Sequence, residues 1–317
     1  WFNLWNDRRK SSFSLNERGE TLMGKHIPEF FKKLLIEQYG NEYANNIINN
    51  LMKDKKVTLR VNTIKSNIEE IKQTLITENI KFQNVNWYND AFIIENVKEE
   101  TLKNLEIYKQ GKIYLQSLSS MLPPLILKPE PQENILDMAS APGGKTTQMS
   151  AISKNKAYIT ACEKNKIRGE RLKYNLEKQG ANMVNVMIED AGNLSDFFSF
   201  DKILLDAPCS GSGTENVFKN NFTIDLVQKS KKTQEKLLRK ALKILKPGGE
   251  MVYSTCSILA KENEEVIENV LKDFKASLMP VELDCKIECL PSRLEEVAVV
   301  APNELFEGFF VAKIRKE

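Results

Sequence analysis

Beyond residue 134, short apolar runs alternate with helical stretches, and this alternation restricts the fold more than any other feature of the chain. Ile135–Met138, Ala157–Cys162, Val184–Ile188, Ile203–Leu205 and Met251–Tyr253 read as strands. Helical spacing fills the gaps: from about Thr146, from Lys166 to Gln179 with Gly180 as a stop, and from Asp225 to Leu245 ahead of Pro247-Gly248-Gly249. Strands separated by helices cannot pair as hairpins, so the pattern predicts a parallel sheet with helices on both faces. The runs are apolar throughout rather than alternating, as in strands buried on both sides. Ligands of such sheets bind beyond the carboxyl ends of the strands. Phe309–Ile314 is expected to add a last strand at an edge.

The upstream part is organised differently. Apolar spacing from Ile27 to Met52 predicts two helices broken at Gly40. Val57–Asn62 alternates like a strand, Ser66 is placed to cap a helix with Glu69 three residues on, and Phe92–Ile94 and Ile113–Leu115 read as short strands. Residues from about 55 to 115 therefore form a small α+β module. Gln116–Leu127 is expected to be a helix interrupted at Pro123-Pro124. The chain divides into an aromatic and basic leader over 1–22, which need not be native, a helical and α+β module over 23–115, and an α/β domain over 116–317.

Composition narrows the chemistry. Hydrophobic residues make up 41% and charged ones 28%, ordinary values for a soluble globular chain. No apolar run reaches the roughly 20 residues of a membrane helix, and no secretory signal opens the chain, so a cytoplasmic protein is expected. Net charge is only +3, so any nucleic-acid surface must be a local patch. The five cysteines are odd in number and show no paired framework, which fits a reducing compartment. His26 is the only histidine. Serine and cysteine triads built on imidazole, and histidine-rich zinc sites, are thereby excluded, and no metal is expected.

Two strands deliver thiols. One ends in Asp206-Ala207-Pro208-Cys209-Ser210-Gly211-Ser212-Gly213, the other in Tyr253-Ser254-Thr255-Cys256-Ser257. A lone cysteine at a strand end is usually a small hydrophobe, but two flanked by Pro, Ser, Thr and Gly point to a reactive site. The first strand runs into Ala139-Ser140-Ala141-Pro142-Gly143-Gly144-Lys145, a glycine-rich turn of the kind that brings a ligand to a helix N-terminus. Gly144-Lys145-Thr146 matches the tail of a nucleotide P-loop, but the glycine required five positions before Gly144 is Ala139. Glu163, Asp190 and Asp206 each close one of the following strands. A carboxylate after the second strand is where ribose hydroxyls are gripped in this architecture. Cys162 is expected to be a buried filler.

Taken in order, Ala-Pro-Gly-Gly-Lys-Thr, Asp-Ala-Pro-Cys-Ser-Gly-Ser-Gly and Tyr-Ser-Thr-Cys-Ser resemble the motifs of the Sun-type RNA cytosine-5 methyltransferases. The resemblance extends from about Ile27 to the end and includes Leu59-Arg60-Val61-Asn62-Thr63 and Gly308-Phe309-Phe310-Val311-Ala312-Lys313. It implies a Rossmann-like, S-adenosylmethionine-dependent methyltransferase sheet with a smaller N-terminal RNA-binding module, acting as a monomer on ribosomal or transfer RNA. Carbon 5 of cytosine is a poor nucleophile; a thiolate that adds to carbon 6 makes the ring an enamine able to attack a sulfonium methyl. On this resemblance Cys256 is the nucleophile, Cys209 assists release of product, and Asp206 holds the cytosine edge and borders the cofactor. Ala139, Ser140, Ala141, Pro142, Gly143, Gly144 and Lys145, with Glu163, Arg168 and Asp190, are implied to bind S-adenosyl-L-methionine. DNA cytosine methyltransferases share the Pro-Cys motif but use that cysteine as nucleophile, so the second thiol favours the RNA class. The chain departs from the family at Ala139, often Cys, and at Val300-Ala301, where an Arg commonly precedes the Pro.

For RNA contacts, the basic residues Lys229, Lys231, Lys232, Lys236, Arg239, Lys240, Lys243 and Lys246 form a candidate handle, with a solvated helix face as the alternative. Arg60 is the candidate in the small module, and Arg8, Arg9 and Lys10 in the leader. Two other classes stay open: a catalytically silent RNA-binding scaffold, against which both retained thiols count, and an ATP-using P-loop enzyme, against which Ala139 counts.

Overall fold

In the computed structural model, which describes residues 26–317, the predicted alternation closes into one large sheet. In chain order the elements are α1 (Glu29–Met52), β1 (Val57–Val61), α2 (Ile68–Thr77), β2 (Phe82–Asn84), β3 (Ala91–Ile94), α3 (Glu99–Asn104), α4 (Glu106–Lys109), β4 (Ile113–Leu115) and α5 (Leu118–Leu127). The second part holds β5 (Asn134–Asp137), α6 (Gly144–Ile152), β6 (Tyr158–Cys162), α7 (Lys166–Gln179), β7 (Val184–Met187), β8 (Phe200–Asp206), α8 (Ile224–Ile244), β9 (Leu245–Thr255), α9 (Glu264–Leu271), β10 (Ala276–Met279), β11 (Cys289–Leu290), β12 (Ala298–Val300) and β13 (Phe309–Lys316). The leader, with Arg8, Arg9 and Lys10, lies outside the described residues.

The large sheet runs β7-β6-β5-β8-β9-β13-β12-β11, with β10 also on β13. Strands β5 to β9 pair in parallel, whereas β13 pairs antiparallel with β9. From β5 the chain winds outward through β6 and β7, then returns to β8 on the other side of β5. This reversal opens a crevice at the carboxyl ends of β5 and β8, where open α/β sheets bind ligands. Both faces are covered: Leu136, Ile203, Leu205, Met251, Tyr253 and Phe310 face α1 and α8, while Ile135, Leu204, Val252 and Val311 join Leu127 and Met149 of α5 and α6.

The small sheet, β2-β3-β1-β4, is antiparallel throughout. Leu59 and Val61 of β1 face Ile71 and Leu75 of α2, so Thr58 and Arg60 face the other way. Helix α1, grouped with the small module on sequence, buries Phe31, Leu35, Tyr39, Ile47 and Leu51 in the core of the large sheet. Gly40 breaks it as expected, with φ 80° and ψ 169°.

Several expectations are corrected. Phe309–Lys316 is an interior strand, because residues 276–300 supply β10, β11 and β12 beyond it, strands too short and mixed to be read in sequence. Pro123 and Pro124 do not interrupt α5. The Ser120 carbonyl, which Pro124 cannot satisfy, accepts the Gln116 side-chain amide at 3.1 Å instead. The cap of α2 is Asn67, whose side chain accepts the Glu70 amide at 2.9 Å, while the Ser66 hydroxyl donates to the Glu70 carboxylate. Pro247-Gly248-Gly249 lies inside β9, where an irregular register lets Leu245 face Phe200 and Glu250 face Lys202.

Candidate active site

The register of the central strands brings the thiols together. Asp206 of β8 lies opposite Ser254 of β9, and the Ala207 amide donates to the Ser254 carbonyl at 2.8 Å. Cys209 and Cys256 therefore leave adjacent strands almost in step, and their sulfurs stand 3.0 Å apart, both half-buried as free thiols. The Cys256 contact and burial push the Cys209 thiol well above its ordinary range, with a further upward contribution from Glu262, so Cys209 carries its proton at neutral pH. A backbone contact fixes the loops further on: the Gly213 amide donates to the Cys256 carbonyl at 3.0 Å and the Gly308 amide to the Gly213 carbonyl at 2.7 Å. A Cβ on Gly213 would lie 2.0 Å from the Gly308 carbonyl oxygen, so only glycine fits.

Asp206 faces a cation. Lys145, from the first turn of α6, sits 2.8 Å from its Oδ2, and the Ser254 hydroxyl donates to Oδ1 at 2.8 Å. The same ammonium donates to the Ser120 hydroxyl at 2.7 Å and lies 5.7 Å from the centre of the Phe309 ring. Each Asp206 oxygen keeps a lone pair free for an incoming donor. One β-strand end thus offers both a thiol and an oriented carboxylate.

The glycine-rich turn lies across the crevice from these groups. Gly143 takes φ 108° as it enters α6, and its Cβ position would meet Leu172 at 3.0 Å. Neighbouring side chains hold the turn by its carbonyls: Arg168 donates to Ala141 at 2.8 Å and Asn175 to Pro142 at 2.7 Å. Ser140 is tied to β6 by its amide, which donates to the Cys162 carbonyl at 2.9 Å, while its hydroxyl lies within bonding distance of both the Asp137 and the Cys162 carbonyls. Below the turn, burial pushes the Asp137 carboxyl up to about 6, partly offset by the Thr146 hydroxyl donating at 2.7 Å.

Two clefts meet at Ala139. One, of about 240 Å³, is lined by Tyr114, Ser117, Ser140, Pro142, Gly144, Lys145 and Asp206. The other, of about 50 Å³, is lined by Met138, Glu163, Arg168, Asp190, Pro208 and Lys236. Together they bring every sequence-predicted cofactor residue except Gly143 to the wall of one crevice. Glu163 is almost fully buried; it accepts the Asn165 amide at 2.9 Å and pairs with Arg168 at 3.4 Å. Asp190 accepts the Gly192 amide at 2.8 Å and has Lys236 3.6 Å away. Adjoining clefts with the Glu163 and Asp190 carboxylates in one and the Lys145–Asp206 pair in the other fit an amino-acid nucleoside such as S-adenosylmethionine. Cys162 is buried, as expected.

Other expectations do not hold. Arg60 is fully buried and cannot meet RNA. Its guanidinium donates to the Gln116 side chain at 3.0 Å and to the Thr147 hydroxyl at 3.0 Å, joining the small sheet to α6. In the basic run over α8 and the start of β9, five of the eight cations pair with acids of other segments: Lys231 with Glu265, Lys236 with Asp190, Arg239 with Asp273, Lys240 with Asp196 and, on β9, Lys246 with Asp201. The solvated-face alternative describes these residues. Sequence reasoning missed Ser120, Ser254 and Glu262. Only Ser254, inside the Tyr-Ser-Thr-Cys motif, carried a signal.

Comparison with known proteins places this geometry. Residues 124–315 match the family described as 16S rRNA methyltransferase RsmB/F, and residues 27–99 match the ferredoxin-like domain of RsmF/B-like methyltransferases. The chain is 35% identical over 307 residues to the tRNA (cytosine(49)-C(5))-methyltransferase of Pyrococcus abyssi, covering 91% of this chain and 98% of that one. It is 34% identical over 276 residues to ribosomal RNA small subunit methyltransferase F of a Shewanella species, covering 82% of this chain and 56% of that one. It thus spans about half the length of that second relative. The crystal structure of a methyltransferase homolog from Pyrococcus horikoshii matches with a TM-score of 0.79 at 31% identity, over 92% of this chain and 100% of that one. With its thiol motifs and cofactor turn inside the first family match and strands β1 to β3 of the small module inside the second, the chain belongs to the RsmB/F methyltransferase family.

Proposed function

We propose that this protein is an S-adenosylmethionine-dependent enzyme that forms 5-methylcytosine in ribosomal or transfer RNA through a covalent cysteine adduct. The observation that carries the reading is the 3.0 Å approach of Cys209 and Cys256 just past the ends of β8 and β9, with Asp206 at the end of β8 paired to Lys145 in the wall of the cofactor cleft. Residues 116–317, with α1 packed on their sheet, do the chemistry, and the small module over about 55–115 helps to hold RNA. Cytoplasmic residence is part of the reading; five free cysteines accord with it.

When bound, S-adenosylmethionine supplies an electrophilic methyl group; Ala139, Ser140 and Lys145, with Glu163, Arg168 and Asp190, hold it. Cys256 attacks carbon 6 of the cytosine, forming the S–C6 bond and breaking the C5=C6 double bond. Asp206, with a lone pair on each oxygen, accepts from the exocyclic amine and selects cytosine over uracil. Carbon 5 would then take the methyl group, leaving S-adenosylhomocysteine. The carbon-5 proton passes to water, its electron pair restores the C5=C6 double bond, and the S–C6 bond breaks to expel Cys256 as a thiolate. Cys209, beside the departing sulfur, assists that release.

The test is methyl transfer from labelled S-adenosylmethionine to tRNA and to 16S rRNA made without modifications, followed by nucleoside analysis. Label in 5-methylcytidine from either RNA is expected. Label in another nucleoside overturns the reading. Transfer to neither RNA, with cofactor bound, favours the scaffold.

A further inference from the structure

Behind the thiols lies a buried carboxylate that none of these steps uses. Glu262 ends the 3-10 turn Ala260–Glu262 and is fully buried. Its Oε1 accepts the Ser210 amide at 2.7 Å, and its Oε2 accepts the hydroxyls of Ser210 at 2.6 Å and Ser257 at 2.7 Å. Ser210 follows Cys209, and Ser257 follows Cys256. One carboxylate therefore grips the residue after each thiol.

The direction of the network is fixed by proton count. A serine hydroxyl has one proton. Ser257 gives its proton to Glu262, so in the 2.7 Å contact between the Ser212 and Ser257 hydroxyls the donor is Ser212. The Ser212 and Ser257 oxygens in turn accept the Ile258 and Leu259 amides. Every donor points toward Glu262, which no neutral amide could receive in the same way. The turn is itself pinned, since the Tyr253 hydroxyl donates to the Glu262 carbonyl at 2.6 Å. Burial holds the Glu262 carboxyl above its ordinary range, and the serine bonds offset only part of that shift. A carboxylate buried at this depth costs stability unless such bonds compensate it. Its partners join two catalytic loops rather than one structural element.

We infer that Glu262 is a positioning residue that sets the separation of Cys209 and Cys256, by tying Ser210 and Ser257 to one carboxylate. The inference rests on the thiol roles proposed above, but one of its tests does not. In the absence of RNA, diamide takes two protons and two electrons from a neighbouring thiol pair, becoming the hydrazine while the sulfurs join. Peptide mass mapping then reports Cys209–Cys256 bridging. Folded Glu262→Gln, checked by cofactor affinity within about threefold of wild type, should bridge at least ~10-fold more slowly, the effect of losing a charge-assisted bond. Its kcat for methyl transfer should fall by at least ~10-fold with KM for RNA little changed. Ser257→Ala, which keeps both Ser210 bonds, should slow bridging by about threefold, and it carries the test if Glu262→Gln fails to fold.

Bridging at the wild-type rate in the folded variant overturns the inference, whatever happens to methylation. Slowed bridging in an enzyme whose wild type methylates no RNA supports positioning and overturns the proposed reaction instead.

Discussion

The cofactor turn and the thiol site occupy neighbouring strand ends but are held by different means. The turn is held by its main chain: Gly143 at φ 108°, the Ala141 and Pro142 carbonyls taken by Arg168 and Asn175, and Ser140 tied to β6. The thiols are held by side chains, through the Glu262 carboxylate and the Ser210, Ser212 and Ser257 hydroxyls. A main-chain cradle tolerates a change of side chain, as the Ala139 departure from the family illustrates, but not a change of backbone conformation. A side-chain network has the opposite tolerance.

The largest effect should come from the thiol side. Cys256→Ala should lower methyl transfer by about 10³-fold or more, the scale of losing a covalent nucleophile, and leave cofactor affinity unaltered. Isothermal titration beside a transfer assay checks both halves, and a joint loss would mean that the two sites are not separately held. On the cofactor side, Gly143→Ala meets both a positive φ and Leu172 at 3.0 Å. It should weaken cofactor binding about tenfold and cost about 1–2 kcal/mol of stability, whereas Ala139→Ser should do neither.

Asp137 gives a pH signature of the cradle. Its folded carboxyl titrates at about 6, against 3.8 as the ordinary value, so between these the native state holds a proton that the unfolded chain has released. The stability contributed by this group is present below that window and lost as pH rises through it. Denaturant unfolding across the window should show that decline, and Asp137→Asn should flatten it. The smallest effects belong to α8: Arg239→Ala and Lys231→Ala remove cations already paired with Asp273 and Glu265. RNA affinity should change less than about twofold, with no change in its salt dependence. A fall in the salt slope would restore α8 as an RNA handle.

These contrasts also explain what was legible in sequence. The strands from β5 to β9 announce themselves because burial on both faces demands continuous apolar runs, and their ends must turn polar where the crevice begins. The cofactor turn is legible because glycine marks its backbone. Arg60 shows the limit: its motif marks the position, but only the alternation of β1 against α2 sends its side chain toward α6. Glu262 is harder still. It sits in Lys261-Glu262-Asn263-Glu264-Glu265, which reads as a solvated charge run, since sequence records a charge but not its burial. Pro124 misled because the Ser120 carbonyl it leaves open is taken by Gln116, which precedes the helix.

In the proposed mechanism one thiol bonds to the base and the other lets it go. Cys209→Ala, incubated with unmodified RNA and S-adenosylmethionine and run on a denaturing gel, tests it most directly. A protein–RNA band of raised mass is expected, one that persists in denaturant and disappears in the Cys209→Ala, Cys256→Ala double variant. Normal turnover by Cys209→Ala, or an adduct that survives removal of Cys256, would contradict it.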